Sequence, residues 1–303
     1  MKVYFEETLL NEKNIIDILK EFPKLVQANN AYDAEIIFSM PKALTNEYLD
    51  KFKNLKMIQL YTAGYDTLDL NYLRMRNITL LNAKDVYSIA ISEDVVNKIL
   101  LFNKNTFTYF KQMESKIWEP IKVTHELYGS TVGIIGAGSI GIEVAKRLKP
   151  FNTKILGYKR TKIESPYFDY IYTDSLDEIY EKSDYIIISI ASNKQTKALI
   201  NRSSFHKMKK APLIINVARG DIIVESDLIE ALKKGFIRGA ALDVTNIEPL
   251  PESSELWTLD NVFITPHSSN MSPNLKLRLI EVLRITLKNI FNNEALENIV
   301  INK

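Results

Sequence analysis

Three short apolar runs late in the chain each lead into residues that can handle charge or protons. Ile214-Ile215-Asn216-Val217-Ala218 runs into Arg219. Gly239-Ala240-Ala241-Leu242 runs into Asp243, with Glu248 following. Asn261-Val262-Phe263-Ile264-Thr265-Pro266 runs into His267. In an open parallel sheet the ligand crevice lies at the carboxyl ends of the strands. An arginine there is a fixed cation for a carboxylate. A histidine can donate a proton to a carbonyl oxygen, and a neighbouring glutamate favours its charged form. Hydride transfer to a 2-oxo acid needs that set, so Arg219, Glu248 and His267 are the expected acting residues. Taken singly, a strand-end arginine is ordinarily an ion-pair residue and a lone histidine a structural one. His125 and His206 gain no carboxylate partner from any motif. His206 stands beside Lys207, Lys209 and Lys210, which reads as a solvated helical patch, and Trp118 and Trp257 read as packing residues.

A hydride needs a donor, and the glycines mark where one would sit. Nine of the ten lie between Gly129 and Gly239, and Gly64 is the other. Gly136-Ala137-Gly138-Ser139-Ile140-Gly141 is G-x-G-x-x-G. It follows the β-branched run 131–135 and opens a helical pattern in which Ile140, Val144 and Leu148 recur every four residues. That context is the one a dinucleotide site requires. Gly136 serves the tight turn, Gly138 the approach of a pyrophosphate and Gly141 close helix–strand packing. The helix start at Ser139 and Ile140 offers N–H groups to the phosphates. The next strand, 153–158, should end near the adenosine ribose. An acid there would bind the ribose hydroxyls of NAD. This chain has Lys159, Arg160 and Thr161 instead, which suit a 2′-phosphate. NADP is therefore the preferred cofactor, with NAD as the alternative.

The remaining composition narrows the class. The chain has 303 residues, 46% hydrophobic and 25% charged, enough for about two domains. With 39 basic and 37 acidic residues the net charge is +2, so no large uniform field draws in nucleic acid or an anionic membrane. The lack of cysteine removes disulfides, thiolate metal sites and a cysteine nucleophile, and no metal is expected. No run reaches the roughly 18 apolar residues of a membrane span, and the first seven residues do not resemble a secretory leader. A soluble cytoplasmic protein is expected.

Elements must bring these residues together. Strands are predicted at 3–5, 35–38, 57–60 and 78–81, with helices at 14–22 and 46–52. A four-turn helix follows at 88–102. A second α/β series comprises strands at 131–135, 153–158, 185–190, 213–217, 240–244 and 262–265, with helices at 139–148 and 226–234. Another amphipathic helix covers 274–291. Alternating strands and helices imply parallel sheets.

Together these motifs resemble the D-isomer-specific 2-hydroxyacid dehydrogenase family, which includes glyoxylate/hydroxypyruvate reductases and phosphoglycerate dehydrogenases. The resemblance runs from Ala63-Gly64-Tyr65-Asp66, through Glu126-Leu127-Tyr128-Gly129-Ser130-Thr131-Val132-Gly133-Ile134-Ile135-Gly136, to Thr265-Pro266-His267. It implies that Arg219 binds substrate, that Glu248 pairs with His267 and that His267 is the acid/base. It implies that Asp243 meets the nicotinamide amide, and that Ala63 and Gly64 lie in a loop whose amides bind the substrate carboxylate. Ala218 and Thr196 fall at cofactor-binding positions. Lys159 replaces the ribose acid, Ser189-Ile190-Ala191 replaces a His-x-Pro stretch, and Thr245 and Ile247 replace an aromatic residue and a proline. Tyr61, Thr62, Tyr65 and Tyr87 are expected to line the substrate side-chain pocket.

The implied fold is α/β, with a Rossmann-type cofactor domain at 96–270 and a discontinuous flavodoxin-like substrate domain at 1–95 and 271–303. The helices 88–102 and 274–291 would be the crossings, and the crevice between the domains would hold the substrate. The expected activity is NAD(P)-dependent reduction of a small 2-oxo acid to a D-2-hydroxy acid, of glyoxylate/hydroxypyruvate type. Alternatives are a phosphoglycerate dehydrogenase-like enzyme and a non-catalytic NAD(P)-sensing regulatory protein. Formate dehydrogenases of similar fold are disfavoured by Glu248. Similar proteins pair through the cofactor domain, which implies a homodimer.

Overall fold

The computed structural model describes residues 1–6 and 9–302 and divides into two compact units, Met1–Tyr87 with Ser272–Lys303, and Ser88–Met271. Glu7, Thr8 and Lys303 of the expected domain spans lie outside the described residues. The first unit comprises β1 (Lys2–Phe5), α1 (Glu12–Glu21), β2 (Val26–Gln27), β3 (Ile36–Ser39), α2 (Asn46–Asp50), β4 (Met57–Leu60), α3 (Leu70–Met75) and β5 (Thr79–Leu81). The second begins with α4 (Ser88–Asn103), α5 (Thr106–Glu114), β6 (Thr131–Ile135), α6 (Ser139–Leu148), β7 (Lys154–Tyr158) and β8 (Tyr170–Tyr172). It continues with α7 (Asp177–Lys182), β9 (Tyr185–Ile188), α8 (Arg202–Lys207), β10 (Leu213–Asn216), α9 (Glu225–Lys234), β11 (Gly239–Leu242) and β12 (Val262–Ile264). The chain then returns to the first unit as α10 (Leu275–Asn292) and β13 (Ile299–Ile301).

The first unit has the strand order β2-β1-β3-β4-β5, all parallel, with β13 added antiparallel on β5. That is the flavodoxin-like doubly wound order. Every residue of β3 is buried, as expected of a parallel strand covered on both faces. Of the polar residues in this sheet Gln59, on β4, is fully buried and accepts from the Thr286 hydroxyl of α10 at 2.9 Å. The bond fixes the returning helix against β4, while Leu279, Leu283 and Leu287 bury its apolar stripe.

The second unit has the order β8-β7-β6-β9-β10-β11-β12, all parallel. Counted from β6 this is the Rossmann order with a seventh strand, and its order reverses between β6 and β9. Ile135, Ile186, Ile188, Ile214 and Leu242 pack with Ile179, Phe205, Leu228 and Leu232 of α7, α8 and α9. On α4, Asn103 donates to the buried Tyr185 hydroxyl at 2.7 Å. Among the described residues no helix is long and apolar enough to cross a membrane.

The second compact unit begins at Ser88, eight residues before the expected boundary at 96. Residues 88–95 belong with the second unit because α4 is one unbroken helix. Ser88 at its start meets the Ser139 hydroxyl, and Asn103 at its end meets Tyr185. Met271 also lies with the second unit. The strands expected at 185–190, 213–217 and 240–244 leave the ladder sooner, at Ile188, Asn216 and Leu242. The helices α3, α7 and α8 have six residues each and β8 and β13 three. Such lengths are too short for a periodic signal.

Candidate active site

Cα pairing of Asn216 with Leu242, and of Leu242 with Ile264, sets the carboxyl ends of β10, β11 and β12 side by side. Arg219, Glu248 and His267 all lie on the loops that leave those ends. The Arg219 turn is pinned by buried Asn216, whose amide donates to Arg219 O at 2.9 Å and whose oxygen accepts from Ala218 N at 3.1 Å. The Arg219 guanidinium donates to Ala218 O at 2.7 Å. Gly220 presses that turn onto the neighbouring loop. A Cβ there would lie 2.1 Å from Thr245 O, so a side chain would force the two loops apart. Neither Asn216 nor Gly220 stood out in the sequence.

His267 Nδ1 lies 2.9 Å from Glu248 Oε2, and Glu248 Oε1 accepts from Thr245 N at 3.2 Å. Both side chains are half exposed. With Nδ1 donating to the carboxylate, Nε2 is the other ring nitrogen able to carry a proton. His267 has φ +50°, a left-handed conformation that costs a non-glycine residue energy and clusters at functional sites. Its own N–H supports the turn by donating to Asp243 O at 2.8 Å.

Asp243 has a second task that its sequence position did not disclose. The side chain is 1% exposed. Oδ1 accepts from the Thr265 hydroxyl at 2.6 Å and from Ser268 N at 3.0 Å, and Ser269 N lies 3.1 Å from both oxygens. Burial pushes this carboxyl up. The hydrogen bonds from Ser269, Thr265 and Ser268, with the charge of Lys98, outweigh it and hold the group below the usual carboxylate range. Asp243 therefore anchors the loop that carries His267, and Oδ2 keeps the spare acceptor capacity.

The glycine-rich turn lies at the reversal of strand order. Gly136 has φ +110°, and a Cβ there would lie 2.7 Å from Ile190 N. A Cβ on Gly141 would lie 2.3 Å from Gly136 O, whereas nothing stands within 4 Å of one on Gly138. Gly138 caps α6 without a side-chain bond, ahead of Ser139 and Ile140. A tight turn, a closely packed helix and open space above the helix start fit a dinucleotide pyrophosphate. Ser139 meets Ser88 across this start.

Lys159, Arg160 and Thr161 follow β7, and the last two are exposed. The Arg160 guanidinium donates to the Gln195 side chain, a neighbour no motif indicated. Thr196 is buried. Its hydroxyl donates to Ala191 O at 2.7 Å and accepts from Asn193 N at 2.8 Å, which closes its own loop. Ala218 is buried behind Arg219. Among the described residues no group of three or more His, Asp or Glu could hold a metal.

Ala63 and Gly64 lie in the first unit, on the loop after β4. There Asn82 donates to Ala63 O at 2.8 Å and Thr62 to Gly64 O at 2.7 Å. Tyr61 and Tyr87, expected as pocket walls, instead pack inside that unit. The Tyr87 hydroxyl donates to Tyr61 O, and burial pushes it up to about 12. Trp118 and Trp257, expected to pack, are 99% and 53% exposed.

Residues 96–269 match the family described as D-isomer specific 2-hydroxyacid dehydrogenase, NAD binding domain. A glyoxylate reductase of Thermofilum pendens is 36% identical over 256 residues, 82% of this chain and 75% of that protein. A D-3-phosphoglycerate dehydrogenase of Methanocaldococcus jannaschii is 30% identical over 96% of this chain, which spans 56% of that longer protein. The solved TT0316 protein of Thermus thermophilus superposes with a TM-score of 0.80 at 27% identity, over 99% of this chain and 100% of that one.

Replacing Asp243 by Asn removes the charge and sets an NH2 in place of Oδ2 against the Ser269 N–H, while the remaining oxygen can still accept from Thr265 and Ser268. The expected cost is about 1–3 kcal/mol at pH 7, read by urea unfolding. A carboxyl whose folded pKa is depressed stabilises above its unfolded pKa, and that stability is lost as pH falls through the folded value. The gap between Asp243→Asn and wild type should therefore narrow in acid. A gap independent of pH would show that ionised Asp243 does not hold the loop.

Proposed function

The chain belongs to the D-isomer-specific 2-hydroxyacid dehydrogenase family, and from that premise we propose that it reduces a small 2-oxo acid of the glyoxylate/hydroxypyruvate class to the D-2-hydroxy acid. The observation that carries the reading is the His267–Glu248 bond of 2.9 Å on loops beside the Arg219 turn. When bound, the nicotinamide cofactor supplies the hydride. Arg219 offers a planar guanidinium to the substrate carboxylate. His267 gives its Nε2 proton to the ketone oxygen, and Glu248 stabilises the charged ring through Nδ1. Asp243 Oδ2 is the acceptor proposed for the nicotinamide amide, while Gly136, Gly138, Ser139 and Ile140 frame the pyrophosphate. For Ala63 and Gly64 a carboxylate-binding role rests on the resemblance alone. The intact Arg219, Glu248 and His267 set favours an enzyme over a non-catalytic NAD(P)-sensing protein.

For the cofactor, the reading favours NADPH over NADH. Lys159 and Arg160 follow β7, and no acid stands there to repel a 2′-phosphate. Gln195, already bound to Arg160, is neutral and adds no repulsion. For assembly, the reading is a homodimer. Phe110, Met113, Trp118, Val123 and Tyr128 expose an apolar set along residues 106–128 of the second unit. A cytoplasmic location completes the reading.

A screen of NADPH and NADH oxidation against glyoxylate, hydroxypyruvate, pyruvate and larger 2-oxo acids tests the activity directly. In that assay His267→Ala should lower kcat about 10²-fold or more. Near-normal turnover would remove His267 from the mechanism. NADPH should exceed NADH in kcat/KM about ten- to a hundredfold. Lys159→Asp with Arg160→Ala should reverse that order, and equal use of both cofactors by the wild type would sink the assignment. Light scattering at micromolar concentration should give the mass of two chains, and a monomer mass would refute the dimer.

A further inference from the structure

Among the described residues only two charged side chains are buried, and they have opposite signs. Lys98 is 0% exposed and Asp243 1%. A buried ammonium is costly unless something compensates it, and an apolar residue at a helix–sheet contact carries no such cost. Lys98 lies within α4. Its ammonium pairs with Asp94 one turn earlier, whose side chain still reaches solvent at 22% exposure. The same ammonium lies 6.0 Å from the centroid of the Phe263 ring on β12. Phe263 is paired with Ala241 of β11. Side chains two residues apart on a strand share a face. Asp243 and Thr265 stand one residue past the ends of β11 and β12 at that interval, where Thr265 N still donates to Leu242 O at 2.9 Å and the two side chains bond to each other at 2.6 Å. Lys98 therefore approaches from α4 on the side where Asp243 and Thr265 meet.

We propose that Lys98 is a positioning residue for Asp243. Its buried ammonium is the counter-charge that keeps this carboxylate an acceptor, for the His267 loop on one side and for the cofactor amide on the other. The cofactor half of this rests on the dinucleotide reading above. The hydrogen-bond partners of Asp243 are the Thr265 hydroxyl, the Ser268 and Ser269 amides and the Ser269 side chain, and none of them carries a charge. Asp94 is the anion that shares Lys98. Burial pushes Asp243 up; the hydrogen bonds from Ser269, Thr265 and Ser268 bring it down, and Lys98 adds the one charge that does so. Without that cation the carboxyl would take up its proton at a higher pH and present an O–H where acceptors are needed.

The test is NADPH binding, followed by the fluorescence of the bound dinucleotide over a range of pH, with folding checked by circular dichroism. Lys98→Met should weaken binding about tenfold at neutral pH, and the loss should grow as pH falls. Lys98→Arg, which keeps the charge, should recover most of it. In an Asp243→Asn background Lys98→Met should add less than about twofold, because the partner charge is already gone. Asp94→Asn leaves the ammonium wholly to Asp243, so binding should hold or tighten, and this variant decides the matter even if Lys98→Met does not fold. Unchanged affinity in folded Lys98→Met, an undiminished effect in the Asp243→Asn background, or a tenfold loss in Asp94→Asn would each overturn the proposal. A wild-type protein that binds neither NADPH nor NADH would overturn the cofactor reading itself, and this proposal with it.

Discussion

The buried carboxylate of Asp243 is the joint on which the candidate site of the second unit hangs. It leaves the end of β11 and gathers three donors from the loop after β12, while its main-chain oxygen takes the His267 N–H. A histidine at φ +50° does not stay in that conformation unaided. The bonds around Asp243 over-determine the turn, and the ring is thereby delivered to Glu248. The paired ends of β10, β11 and β12 supply the rigid base, and Gly220 lets the arginine turn sit against the glutamate loop. Few loop residues are left free to choose their position.

Much of this was legible from residue types alone. The glycine turn could be read because a strand before it and a helix after it are both strong local signals. The candidate residues could be read because Arg219, Asp243 and His267 each end an apolar run, and Glu248 follows Asp243 closely. What stayed hidden depends on main-chain geometry. Asn216 works by bonding backbone of its own turn, Thr265 by donating to a side chain one strand away, and Thr196 by closing its own loop. Asp243 was legible as a site residue but not as the loop anchor, because its donors are mostly backbone amides that no sequence pattern displays.

Other differences have equally plain causes. Tyr61 and Tyr87 looked like pocket walls because tyrosines near a loop are amphipathic, yet their hydroxyls find carbonyls inside the first unit. Trp118 looked like core because it is large and apolar, yet it lies almost wholly in solvent. Lys98 carried no signal, since a lysine in a helical pattern ordinarily marks the wet face.

The discontinuity of the first unit bears on how the chain is made. The second unit is contiguous, so once Met271 has left the ribosome all seven of its strands are outside and can pair. The first unit begins earlier but is completed later. Its β5 edge stays open, and Gln59 lacks the Thr286 hydroxyl, until α10 and β13 emerge. Domains tend to fold in the order in which they are synthesised, and unpaired edges invite wrong partners meanwhile. Here synthesis order and completion order are reversed, so residues 1–87 are the part that stays incomplete longest.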